Sequence, residues 1–119
     1  MEFSLKGHKV QKEIKELSDM YILCQIKGKK CNSVKATELI KILTLFQCCK
    51  NFREVFTHPT FKQLKGHELK GDRKGYWGLD CGHPFRLIFH LLGEYDKSKA
   101  PSEYEKIDKI EIIEIVDYH

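Results

Sequence analysis

Lys70, Arg73, Arg86 and His119 are the side chains best suited to chemistry in this sequence. The first two lie in HELKGDRKG (67–75), the third in the middle of PFRLIFHLL (84–92), and the last closes EIVDYH (114–119). Such a set suits RNA cleavage without a metal. The ribose 2′-OH must lose a proton as it attacks the neighbouring phosphate, and the leaving 5′-oxygen must gain one. Histidine and lysine move protons at pKa values that their surroundings tune. Arginine stabilises the negative charge gathered on the phosphate without itself titrating. Asp117 and Tyr118 flank the terminal imidazole as supporting groups, and Lys74, His67 and Tyr76 are further candidates for RNA contact, Tyr76 or Tyr118 by stacking on an unpaired base.

These residues need a sheet to bring them together. In PFRLIFHLL the period of two places Phe85, Leu87, Phe89 and Leu91 on one face and Pro84, Arg86, Ile88 and His90 on the other. The first set reads as the core side. Arg86 then points to the second face, where an unpaired buried guanidinium would be costly. It is there for an anion, or for a structural ion pair with Asp80 or Asp117. In the last strand, strict alternation puts Ile113, Ile115, Asp117 and His119 on one face and Ile112, Glu114, Val116 and Tyr118 on the other. If that strand is central, its end lies beside Arg86.

The rest of the chain reads as the support for that sheet. Residues 1–5 alternate as a short strand. Val10, Ile14 and Leu17 recur at helical spacing with lysines outside them. Residues 20–28 are ambiguous between helix and extended chain. Asn32 or Ser33 is placed to cap a second helix, whose residues Val34, Leu39, Ile40, Ile42, Leu43, Leu45 and Phe46 are apolar over a wide arc. Residues 56–61 read as a loop, because Pro59 drives His58 out of helical geometry. GHELKG, KGYWGLD and HPFRLIFHLL then read as a three-strand meander, residues 93–108 as a loop, and Lys109–Val116 as the last strand. Two helices followed by antiparallel strands give an α+β fold in the order β-α-α-β-β-β-β, one domain over residues 1–119.

Charge is uneven along the chain. Residues 1–60 carry 11 Lys/Arg against 6 Asp/Glu, residues 61–90 carry 6 against 3, and residues 91–119 carry 4 against 8. A basic body suits a polyanionic partner. No stretch approaches the roughly 20 apolar residues of a membrane span, and the first residues lack the apolar segment of a secretion signal. Five cysteines without a C-x-x-C pair read as free thiols of a reducing cytoplasm. Cys48, Cys49, Cys81 and His83 have no zinc spacing, and neither metal nor cofactor is expected.

Three blocks together are similar to the HigB-type branch of the RelE/ParE toxins. Leu69-Lys70-Gly71-Asp72-Arg73-Lys74-Gly75 resembles that family's L-K-G-D-R-x-G stretch, Phe85-Arg86-Leu87-Ile88-Phe89 its W/Y-R-[IL]-x-F strand, and Ile115-Val116-Asp117-Tyr118-His119 its closing V-x-D-Y-H. They cover about residues 64–91 and 109–119, and KKCNSVKA (29–36) resembles the subgroup called killer proteins. Trp77 and Asp80 depart from the more polar or basic residues of many members, and the 93–108 loop is longer than in the shortest ones. The resemblance implies a RelE-like fold, two helices on a twisted antiparallel sheet of four to five strands. It implies a ribosome-dependent mRNA endoribonuclease of a bacterial, cytoplasmic toxin–antitoxin system, with mRNA and the ribosome as targets, no membrane association, and a helix-turn-helix antitoxin of HigA type as partner. Lys70, Arg73 and Arg86 would hold phosphate charge, and His119 would be the acid or base. The alternatives are a ParE-like gyrase poison on the same fold and a catalytically weakened toxin kept as an antitoxin-binding partner.

Overall fold

The computed structural model describes residues 1–117. The chain forms β1 (Glu2–Leu5), α1 (Gly7–Ile26), α2 (Val34–Cys48), α3 (Phe52–Thr57), α4 (Pro59–Gln63), β2 (His67–Glu68), β3 (Tyr76–Asp80), β4 (Phe85–Leu92) and β5 (Lys109–Asp117). Single 3-10 turns at Gly71–Arg73, Lys97–Lys99 and Ser102–Lys106 complete it. The α+β class stands. The strands make one sheet in the order β1-β5-β4-β3-β2. β2 to β5 pair antiparallel, but β1 runs parallel to β5, with Glu2 opposite Lys109 and Leu5 opposite Ile112. The sheet is therefore mixed, not antiparallel, because the chain leaves β1 at the end where α1 must begin.

α1 packs Val10, Ile14 and Leu17 inward and runs on as helix to Ile26, which settles the ambiguous 20–28 stretch. Ser33 caps α2 as its residue type suggests, its hydroxyl accepting from the Ala36 N–H at 3.1 Å. Ala36, Leu39, Ile42, Leu45 and Phe46 are buried, whereas Val34, counted above with the apolar arc, is 62% exposed.

The stretch read as a loop around Pro59 is instead two short helices, so four helices stand where two were expected. His58 is extended, as a residue before proline should be, and that conformation lets its Nδ1 cap α4 by accepting from the Thr60 N–H at 3.1 Å. The 93–108 segment is likewise more than a loop: it buries Tyr104 and Ile107, and the Ile107 carbonyl accepts from the Phe52 N–H at 2.8 Å.

The core lies between the helices and one face of the sheet. Phe46, Phe52 and Phe89 are fully buried at its centre. Phe52 meets Phe56, Phe61, Trp77, Phe89 and Tyr104 with ring centroids 4.9 to 6.2 Å apart, mostly edge to face. Trp77 is thus a core residue. Its indole nitrogen has no acceptor among the described residues. Cys81 is buried beside the start of α2, and burial pushes its thiol up to about 12. It stays protonated and inert, its Sγ 3.7 Å from the Lys35 carbonyl.

Candidate functional site

Strict alternation fails in β5. Ile88 of β4 pairs with Glu114, but the next residue, Phe89, pairs with Ile112, so Ile113 is an extra residue in a β-bulge. The bulge leaves Ile115 with Asp117 and Glu114 with Val116, as alternation assigns them, but moves Ile112 from the face of Glu114 to that of Ile115. Ile110, Ile112 and Ile115 now share the helix side, opposite Leu91, Phe89 and Leu87, and Asp117 follows them opposite Phe85. Glu111, Glu114 and Val116 share the outer side, opposite His90, Ile88 and Arg86.

The outer face is consequently three rungs read across β3, β4 and β5. One is Asp80, Arg86 and Val116; the next Gly78, Ile88 and Glu114; the third Tyr76, His90 and Glu111. The first carries cation chemistry. The Arg86 Nε lies 3.4 Å from Asp80 Oδ1, and its Nη1 lies 3.2 Å from His67 Nε2 on the edge strand β2. A guanidinium only donates, so Nε2 must be the accepting lone pair. The other ring nitrogen of His67, Nδ1, is 2.8 Å from the Lys65 carbonyl and so carries the hydrogen. Both contacts are made at once only by a neutral imidazole in the Nδ1–H tautomer, with its lone pair directed at Arg86.

The middle rung explains how the loop after β2 is held over this face. Leu69 and Ile88 are buried but lie apart from the main core. Gly78 beneath them leaves the room: a Cβ there would sit 3.3 Å from Leu69 Cδ2. Gly71 turns the chain in the left-handed region, φ 69°, where a side chain would strain the backbone. Arg73 then reaches across β4 to Glu114 at 2.5 Å, tying the loop to β5. Lys70 and Lys74 are left exposed at its rim.

His67, Lys70 and Arg86 are thereby brought to one shallow concavity of about 360 Å³, which Glu68 and Leu69 also line. Lys74 joins Lys70 at an adjoining one of about 220 Å³. Arg73 does not join them; its guanidinium is engaged with Glu114. Tyr76 is also elsewhere, its ring 5.5 Å from that of His90, whose Nε2 is 2.9 Å from Glu111 Oε1. Tyr118 and His119 lie outside the described residues. Sequence reasoning gave Asp80 only as a structural partner and missed Glu68, Glu111 and Glu114. The outward place of Glu114 was legible from alternation, but that of Glu111 depends on the bulge.

With this geometry in view, the comparisons with known proteins concern the fold. No family model matches the chain, and no curated protein sequence does. Solved structures match over its whole length: this is the RelE/ParE-type toxin fold. A YoeB/ParE toxin from Agrobacterium tumefaciens superposes with a TM-score of 0.56 at 13% identity, covering 100% of both chains. YafQ from E. coli superposes at 0.52 with 18% identity, over 98% of this chain and 91% of the other. A mutant of YafQ gives 0.51 and 19% over the same shares.

Proposed function

We propose that the chain is the toxin of a type II toxin–antitoxin system, a HigB-type mRNA endoribonuclease that acts on the ribosome and is neutralised by a HigA-type antitoxin. The observation that carries this reading is His67 held between the Lys65 carbonyl, 2.8 Å from Nδ1, and Arg86 Nη1, 3.2 Å from Nε2, at a concavity shared with Lys70. A phosphate entering the concavity accepts from Lys70 and draws the Arg86 guanidinium away from His67. That shift uncovers the Nε2 lone pair beside the sugar. His67 then accepts the 2′-OH proton as the oxygen attacks phosphorus, and Arg86 bears the charge that builds on the phosphate. The 5′-oxygen leaves with a proton from a second group, for which Lys70 and His119 are the candidates. Arg73 acts by holding the loop, and Asp80 by aiming Arg86.

The test is induction of the chain without antitoxin, followed by mapping of mRNA 5′ ends. Cuts in register with codons are expected, lost in Arg86→Ala and reduced by at least about tenfold in His67→Ala, a loss typical of a proton-transfer group. Full toxicity of both variants, folded, would overturn the reading. Broken DNA with intact mRNA would identify a gyrase poison instead. In the isolated protein, the ¹⁵N spectrum of His67 is expected to show hydrogen on Nδ1.

A further inference from the structure

Along the outward stripe of α1, helical spacing lines up Lys12, Glu16, Asp19, Leu23 and Ile26. The stripe changes character after Asp19. In the first half, charges satisfy one another, with Lys12 at 4.0 Å from Glu16 and Lys15 at 2.7 Å from Asp19. In the second half the exposed side chains are apolar apart from Gln25: Met20, Ile22, Leu23 and Ile26, the last 77% exposed. Val34, at the start of α2, adds a further exposed apolar group at the same end of the hairpin. A helix end that is apolar on its inner and outer sides is built to be covered.

The charges around this patch say by what. No acidic residue occurs from Met20 to Thr37, while Lys27, Lys29 and Lys30 form the turn between the helices. None of these three makes an ion pair among the described residues. A second copy of the chain would set lysines against lysines. RNA would use the lysines but leave the apolar side chains in water. We infer that the C-terminal half of α1, with the turn and the start of α2, is a docking face for an acidic amphipathic helix of a partner protein. Its apolar stripe covers Ile22, Leu23, Ile26 and Val34, and its flanking carboxylates meet Lys27, Lys29 and Lys30. The inference needs neither RNA cleavage nor the outer-face site.

The probe is a synthetic helix of roughly 18 residues, with leucine on one stripe and glutamate on both flanks, titrated into the reduced full chain under methyl and amide NMR. Shifts confined to Met20–Val34 are expected. Binding should weaken by about tenfold or more in a Lys27→Glu, Lys29→Glu, Lys30→Glu variant, which alters only exposed side chains. It should weaken similarly in Leu23→Ser with Ile26→Ser, and be lost when the peptide's glutamates are replaced by lysine. The inference is overturned if the lysine peptide binds equally, or if no shift appears at millimolar peptide. It also fails if vesicles of phosphatidylglycerol shift these signals while the peptide does not, or if raising the protein concentration alone reproduces the shifts.

Discussion

On the helix side of the sheet, Leu79, Leu87, Phe89, Ile110 and Ile112 are fully buried. On the outer side the same strands carry Asp80, Arg86, His90, Glu111 and Glu114, around a small apolar seat made by Leu69 and Ile88. The first surface holds the fold together. The second holds positions: its polar groups are half-exposed and paired, so their exchange changes geometry and charge more than stability. A sheet with one face committed to packing leaves the other face available for chemistry, provided a loop is fastened over it.

The sharpest way to break this contrast is to cut each face once. Phe52→Ala removes a fully buried ring that touches five others. It is expected to lower unfolding free energy by about 3–5 kcal/mol in urea titrations. Arg86→Ala, on the other face, should change the same quantity by less than about 1 kcal/mol while abolishing growth inhibition. If the two losses are alike, the division between the faces is wrong. Gly78→Val comes next. Its methyls would press on Leu69, and about 1–3 kcal/mol of destabilisation is expected, with amide shifts across residues 67–74. Smaller still is the Arg73–Glu114 tie. Each side chain is more than a third exposed, so a double-mutant cycle should give a coupling of about 1 kcal/mol or less. The loop's hydrogen exchange should nevertheless quicken in either single mutant.

The smallest effect is in pH. Hydrogen bonds from Ser98 hold the Asp96 carboxyl below its ordinary range, and a bond from Lys106 does the same for Glu103. Because the folded values are depressed, these contacts are fully present above the ordinary carboxyl range near pH 4 and are lost as pH falls below it. Exchange of the 94–106 amides is therefore expected to accelerate below about pH 4 while the core amides stay protected. Asp96→Asn should remove part of that dependence.

Much of this arrangement was legible because strand alternation is local. Leu87 and Phe89 against Arg86 and His90 follow from β4 alone, and Ser33 announces the start of α2 by residue type. The bulge at Ile113 was not legible, since one extra residue in β5 exists only relative to the register of β4. Nor was the parallel pairing of β1, which depends on where the chain must place α1. The short helices after Cys49 were hidden by Pro59, which starts α4 rather than only ending what precedes it. In the site, Lys70 and Arg86 line one concavity, and His67, read from sequence only as a further candidate for RNA contact, lines it with them. Arg73 does not, because the acid that engages it lies some forty residues later, on another strand.

β5 lies inside the sheet, between β1 and β4, although it follows every other described strand in the sequence. Until its residues are available, β1 has no neighbour to pair with, and β4 lacks the strand that covers the edge beside Arg86. The helices likewise face an incomplete wall. Among the described strands, β5 is thus the one bridge between β1 and the β4-β3-β2 side of the sheet, and the outer-face rungs are complete only with it in place.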